Sequence, residues 1–412
     1  MRNNLSEIKA LLPSSGKIAE IKLGNRNLIV TGVNGCGKAQ FINGLYEYLS
    51  ARVVQRNYQD AEQLRGLIRS YERQFEGLTK ADGNYRGVSD LLASYRIKLE
   101  GALNPVAVFS DLNQYIVDIE ERKAVLLKFE ATRQAQIRAA DSPKSIKVLR
   151  DEWSPQAGSS AMFEEYLVTQ KVTQAYSESA RMANRPDEAE RIDKWFGKLQ
   201  ADLQELFEDS SLFLRYDYEE QTFYINQAGK SEYRFQQLSS GFSSILSIYT
   251  ELLTKIELAV ADPNEIYGVV LIDEIDAHLH VTLQRKVLAF LVKSFPSIQF
   301  IVTTHSPFVV ASVSDAVIYD LSSLEQIDDL SMYSYESILS GLFQTPPISE
   351  VLRQKILELG ELLSAPDPNV EQIERSVREI GEHEHVLDEE SAYFLKKGRL
   401  LVNKSQSRRR DV

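Results

Sequence analysis

Polar and apolar residues alternate along Lys17-Ile18-Ala19-Glu20-Ile21-Lys22-Leu23, and a short apolar run, Asn27-Leu28-Ile29-Val30-Thr31, then ends in a glycine-rich turn. Period-two alternation and a bounded apolar run both predict strands. From about 40 to 210 the chain reads mainly as helix, with loops at Pro105, Pro143 and Pro155. Lys194 to Phe207 is the clearest case, since Trp195, Leu199, Leu203 and Leu206 fall on one stripe. Strand character returns at Leu212–Tyr216 and Thr222–Ile225, around a polar turn. A helix is expected from about Gly241, carried by Ile245, Ile248, Leu252 and Ile256. Val269-Val270-Leu271-Ile272, bounded by Gly268 and Asp273, reads as a buried strand. A helix over 282–294 turns Leu283, Val287 and Leu291 inward, and Gln299–Thr303 is the next strand. Beyond about 330 the pattern is mostly helical and ends in basic Lys404-Ser405-Gln406-Ser407-Arg408-Arg409-Arg410.

The order of elements is strand, long helical insertion, then alternating strand and helix, which predicts an α/β sheet interrupted by a helical domain. The expected partition is a first sheet lobe over 1–50, a helical insertion over 51–208, a second sheet lobe over 209–330, and a helical C-terminal region with a basic tail over 331–412.

Composition narrows this little. The 412 residues suffice for one large or two medium cores, and 43% hydrophobic with 26% charged residues is ordinary for a folded chain. A net charge of −12 argues against a general nucleic-acid coat, because phosphate binding needs clustered Lys and Arg, though it leaves room for a local basic surface. Cys36 is the single cysteine, so no internal disulfide forms, as suits a reducing cytoplasm. Met1–Glu7 lacks the apolar run of a signal peptide, and no apolar stretch approaches the ~20 residues that span a bilayer, so a cytoplasmic protein without a membrane partner is expected.

The candidate chemistry starts at Gly32-Val33-Asn34-Gly35-Cys36-Gly37-Lys38, which fits GxxxxGK between a strand and a helix. The glycines let backbone N–H groups of Asn34 to Gln40 turn around phosphate oxygens, and the helix N-terminus favours anionic charge. Lys38 is the expected β- and γ-phosphate contact. The next residue is Ala39 where the pattern asks for Ser or Thr, the hydroxyl that coordinates Mg²⁺; Gln40 stands one residue too far along to replace it. ATP binding is therefore expected to survive, with Mg²⁺-dependent hydrolysis weakened.

Three further segments fit the same chemistry. The apolar strand Val269–Ile272 delivers Asp273 toward Mg²⁺ and Glu274 toward an attacking water. Gln237-Leu238-Ser239-Ser240-Gly241-Phe242 precedes a helix whose N-terminus can hold a phosphate through Ser239, Ser240 and Gly241. Thr303-Thr304-His305-Ser306-Pro307 places an imidazole at a strand end. Elsewhere, Glu382-His383-Glu384-His385 reads as a solvated charged face, and His278 and His280 as structural.

Together these segments resemble the ABC-class ATPases, in the branch of SMC-like, Rad50-like and OLD-like proteins. They look most like the ATPase subunits of bacterial antiphage systems such as PARIS or Septu. The resemblance implies an ABC-type P-loop sheet with a helical insertion and ATP and Mg²⁺ as cofactors. It also implies a dimer in which Lys38, Asp273, Glu274 and His305 of one copy meet Ser239 and Gly241 of the other. Asp276 is expected in the loop facing that neighbour, and Gln114 is the candidate for the family's glutamine ligand to Mg²⁺. About 80 residues follow the sheet, fewer than an OLD-type nuclease domain requires, so a nuclease or toxin effector is expected as a separate chain, controlled by a phage-encoded trigger. The alternatives are a RecF-like repair clamp that binds DNA and a scaffold that binds ATP without hydrolysing it. A transporter subunit is the weakest fit.

Overall fold

The structure is a computed structural model that describes residues 4–12, 15–55, 61–78, 82–103, 106–140, 142–153, 158–179, 181–259, 265–343, 348–365, 368–384, 387 and 389–410. Two compact units form, Met1–Met332 and Tyr333–Val412.

The first unit contains β1 (Leu5–Leu11), β2 (Ile18–Lys22), β3 (Asn27–Thr31) and α1 (Lys38–Val53), then α2 (Ala61–Glu76), α3 (Tyr85–Leu103), β4 (Val106–Phe109), α4 (Leu112–Glu120) and β5 (Ala124–Phe129). Helices α5 (Ile146–Glu152), α6 (Phe163–Glu178) and α7 (Pro186–Phe207) lead to the hairpin β6 (Phe213–Asp217) and β7 (Thr222–Asn226). The remainder is α8 (Ser240–Leu258), β8 (Tyr267–Ile272), α9 (Val281–Gln284), α10 (Val287–Ser294), β9 (Ile298–Thr303), α11 (Pro307–Val310), β10 (Ala316–Asp320) and β11 (Glu325–Ile327).

The main sheet has the order β11-β10-β3-β9-β8-β5, parallel except for β11. A smaller antiparallel sheet has the order β2-β1-β4. Alternation decides which face each residue takes. Leu28, Val30, Val269, Leu271, Ile301 and Val317 share one buried cluster with Phe41, Ile42, Leu45 and Leu49 of α1 and with Leu5, Ile8, Ala19 and Ile21 of the small sheet. Helix α1 is thus the common filling between the two sheets.

The stretch 51–208 departs from the helical expectation. It does hold helices, including the pair α2 and α3, which share a small core of Ile68, Val88 and Leu92. It also supplies β4 to the small sheet and β5 to the main one. Both are too short and too apolar to show a helical or alternating period in sequence, a known ambiguity of buried runs. β1 is likewise an element that the sequence reading passed over. The helix expected over 282–294 is broken at Arg285–Lys286 into α9 and α10, with Leu283, Val287 and Leu291 all buried.

The second unit comprises α12 (Tyr335–Gly341), α13 (Glu350–Ser364), α14 (Val370–Gly381) and α15 (Glu389–Arg410). Ser334, Ser349 and Asn369 cap the first three of these, and Ile356, Leu359, Ile373, Ile380, Leu395 and Val402 form the core. The basic tail is the end of α15, which runs through Arg408–Arg410. In the Glu382–His385 run, Glu384 takes two hydrogen bonds from Arg399, at 2.8 Å each, while His385 lies outside the described residues.

Strands β5 and β8 pass unusually close at Gly268, where a Cβ would stand 2.1 Å from the Val125 carbonyl oxygen. Beside it the Tyr115 hydroxyl is inserted between the strands, donating to Val125 O at 2.7 Å and accepting from Val269 N at 3.2 Å. Gly268→Ala must push the strands apart in a closed core, so we expect a loss of at least about 2 kcal/mol in urea unfolding. An unchanged midpoint would show that the two strands separate freely.

Candidate functional site

Strands β3, β9 and β8 are neighbours and run parallel, so the segments that follow them emerge at one edge of the sheet. That edge is where open α/β sheets bind ligands. The segments are Gly32–Lys38 after β3, Thr304–Ser306 after β9 and Asp273–Asp276 after β8. A backbone bond from Thr304 N to Val30 O (3.1 Å) and another from Ile275 N to Thr303 O (3.0 Å) tie them in pairs.

The glycine loop is built for close approach. Gly35 and Gly37 have φ of +81° and +103°, the left-handed region that favours glycine. No atom lies within 4 Å of where a Gly35 side chain would stand, so the space beside it is open. Gly32 has no such room: a Cβ there would meet Cys36 Sγ and Ser322 Oγ at 2.7 Å. Ser322, just past β10, fixes the loop by accepting from Val33 N at 2.8 Å. Helix α1 starts at Lys38 with no side-chain cap and no acid in its first turn, so its positive end is left for an anion. Lys38 is buried, and its Nζ donates to Gly32 O at 2.8 Å and Val33 O at 3.3 Å, folded into the cradle it would give up to a phosphate. Ala39 and Gln40 are exposed on the first turn. These residues fit a polyphosphate.

The acids are held by a residue that the sequence reading did not single out. Thr303 Oγ1 donates to Asp273 Oδ1 at 2.6 Å and accepts from Glu274 N at 2.7 Å, joining the ends of β8 and β9 through one hydroxyl. Thr304 Oγ1 does the same for Asp276, donating to Oδ1 at 2.6 Å. Glu274 sits at φ 44° and His278 at φ 64°, conformations that cost non-glycine residues about 1–2 kcal/mol each.

A second unforeseen residue stabilises that turn. Arg133, buried beyond β5, donates to the carbonyls of Asp273 and Ile275 at 2.9 Å and of Glu130 at 3.0 Å. Burial lowers its guanidinium to about 10, opposed by the charges of Asp276, Asp273 and Glu274, so it stays cationic at neutral pH. In sequence it is marked only as one of two arginines, with Arg138, in the stretch after a short apolar run.

His305 lies among these groups. Burial lowers its pKa, Lys38 lowers it further, and Asp276 and Glu274 pull it up. The imidazole is therefore neutral at pH 7 and able to accept or donate one hydrogen bond.

Ser239 stands at the N-terminus of α8 in extended conformation and makes no capping bond with its side chain; Ser239 and Ser240 are both exposed. This end of α8 is built into the same neighbourhood. A Cβ on Gly241 would meet His278 O at 3.2 Å, and Ala135 N donates to Ser243 O and Oγ at 3.1 and 3.0 Å. The turn Phe235–Gln237 ahead of it is anchored by Glu164 of α6, which is fully buried. Glu164 accepts from Gln236 Nε2 (2.7 Å), Thr222 Oγ1 (2.5 Å) and Phe223 N (3.1 Å).

Gln114 is not brought to this edge. It lies in α4, where its Nε2 donates to Asp118 Oδ1 at 3.0 Å; Asp118 in turn accepts from the hydroxyl of Tyr267, at the opposite end of β8 from Asp273. The glutamines that follow β5 toward the acidic turn are Gln134 and Gln136, both exposed.

Among the described residues no cluster of three or more metal-ligating side chains forms, and no helix is long and apolar enough to cross a membrane.

Residues 28–311 match the family described as "AAA domain, putative AbiEii toxin, Type IV TA system". The Septu protein PtuA of Bacillus mycoides (strain KBAB4) is 24% identical over 363 residues, covering 84% of this chain and 45% of that protein. The Retron Ec83 probable ATPase of Escherichia coli is 40% identical over 92 residues, 21% of this chain and 17% of that protein. The SMC head domain from Thermotoga maritima aligns with a TM-score of 0.33 and 14% identity, over 76% of this chain and 94% of that one, which is too loose a likeness to bear on the fold. The chain spans less than half the length of the curated relatives it matches. With the glycine loop, both strand-end acids and the helix N-terminus at Ser239 all inside the matched residues, the chain belongs to this AAA-domain family of ATPases.

Proposed function

We propose that this chain binds ATP with Mg²⁺ between two copies and serves as the ATPase component of a bacterial antiphage system, holding a separate nuclease or toxin under control. The observation that carries the nucleotide part is the meeting of the glycine loop, Asp273–Glu274 and His305 at the ends of three adjacent parallel strands. The names of the Septu and retron relatives support the antiphage part.

In this reading the amides of Asn34 to Gln40 and the ammonium of Lys38 hold the phosphates, and Asp273 holds Mg²⁺. Gln134 or Gln136 takes the role first expected of Gln114. Bound ATP and Mg²⁺ supply a phosphoryl group activated for transfer to water. Glu274 orients that water and takes its proton, and neutral His305 offers one hydrogen bond beside it. Ser239, Ser240 and Gly241 come from the second copy, whose uncapped α8 N-terminus faces the phosphates.

A second reading rests on Ala39. Without a hydroxyl on the first turn of α1, Mg²⁺ loses one protein ligand, and ATP serves as glue more than as fuel. Ala39 is exposed, so a Thr has room there.

Three outcomes follow. Light scattering should give a dimer or larger assembly with ATP and a smaller species without it. Lys38→Ala should abolish the shift, and an ATP-independent mass would sink the sandwich. Ala39→Thr should raise Mg²⁺-dependent turnover roughly tenfold or more, the scale of a recovered metal contact; no gain favours the non-hydrolysing scaffold. Co-expression with the product of the adjacent gene should give a stable complex, and its absence would remove the antiphage reading.

A further inference from the structure

Past the end of β5, residues 130–140 form neither helix nor strand, yet Arg133, Ile137 and Ala140 are buried. Buried backbone without a ladder must find its partners elsewhere. Arg133 donates to Asp273 O and Ile275 O at 2.9 Å and, within the segment, to Glu130 O at 3.0 Å. Two residues on, Ala135 N donates to both O and Oγ of Ser243, at 3.1 and 3.0 Å. Ser243 N in turn donates to Ser239 O at 2.9 Å, in the first turn of α8. Ile137 O accepts from Gln236 Nε2, in the turn ahead of α8, at 3.3 Å. Residues 133–137 are thus a strap from the acidic turn to the start of α8. A direct contact joins the same two places, since a Cβ on Gly241 would stand 3.2 Å from His278 O.

The geometry at Arg133 is specific to a guanidinium. Asp273 and Ile275 stand on either side of Glu274, and a planar fork with several donors can hold both carbonyls at once, as a single ammonium cannot. The fork therefore fixes the two peptide groups that aim the Glu274 side chain. In the two-copy reading, this turn serves the nucleotide on its own glycine loop, whereas the start of α8 serves the nucleotide on the partner's.

We propose that this strap couples the two nucleotides of the assembly, with Arg133 as its positioning residue. Phosphate seated on the start of α8 in one chain sets the place of Glu274 in that same chain, and thereby sets hydrolysis at the other nucleotide. The inference rests on the two-copy reading above. The link between turn and helix is present in one chain, so it is reciprocal: what loosens either end loosens the other. Arg133 acts through the carbonyls of the turn, and Ala135 through Ser243, so neither needs to reach a phosphate.

Two measurements on the full chain test it. The first is amide hydrogen exchange without nucleotide. Ala135→Pro deletes the donor to Ser243, and Ala135→Gly keeps it. Relative to Ala135→Gly, Ala135→Pro should speed exchange about fivefold or more at Ala277 and Leu279, whose amides close the acidic turn on Glu274 O and Asp276 O. Arg133→Lys keeps the charge but not the fork, and should likewise speed exchange at Ser243, while amides of α15 serve as a control. The second measurement is turnover in the Ala39→Thr chain. Ala135→Pro and Arg133→Lys should each lower kcat about tenfold, shift the ATP concentration for half-maximal assembly less than about twofold, and together lose no more than the worse single variant. Exchange that changes only at the substituted end of the strap, or losses that multiply in the double variant, overturn the coupling while the two-copy reading stands. If Ala39→Thr does not turn over, the exchange result alone decides. If ATP assembles no dimer, the two-copy reading falls and the coupling between nucleotides with it.

Discussion

Everything at the candidate site depends on the side-by-side parallel pairing of β3, β9 and β8. Parallel strands end at the same edge, so three segments far apart in sequence emerge together. The Thr303 hydroxyl then fixes the ends of β8 and β9 to each other, since it serves Asp273 and Glu274 at once. Asp273, Thr303 and Lys38 are all buried, so these polar contacts lie where water competes little and each counts for more than it would on the surface.

Helices α6 and α7 of the insertion are joined to that edge by buried and partly buried polar contacts. Glu164, with three hydrogen bonds and no exposure, ties α6 to β7 and to the turn ahead of α8. Glu257 of α8 accepts from Tyr166 at 2.9 Å and Trp195 at 2.8 Å, joining α6 and α7 to the same helix. A buried carboxylate that lost these donors would be left uncompensated, so displacement of α6 is costly unless α8 follows. Helices α6 and α7 are therefore coupled to α8, whose N-terminus carries Ser239.

Arg133 plays the corresponding part on the other side of the acidic turn. It donates hydrogen bonds to carbonyls in a segment where Glu274 already adopts a left-handed conformation.

The sequence by itself determined the pieces whose chemistry is local. GxxxxGK needs only its own glycines and the helix that follows, and Asp273–Glu274 needs only the strand ahead of it, so both were readable along the chain. The helix stripes at Ile245–Ile256 and Leu199–Leu206 were legible for the same reason, that one face must be buried. Strand order left no such mark. β5, six residues long, carries no period that separates it from a buried helical turn, and its pairing with β8 is set by contacts more than a hundred residues away. Arg133 matters only because of it, and Thr303 only because β9 lies beside β8. Tertiary structure alone decided which side chains share the edge, since adjacency in a parallel sheet is fixed by packing on both faces and not by distance along the chain.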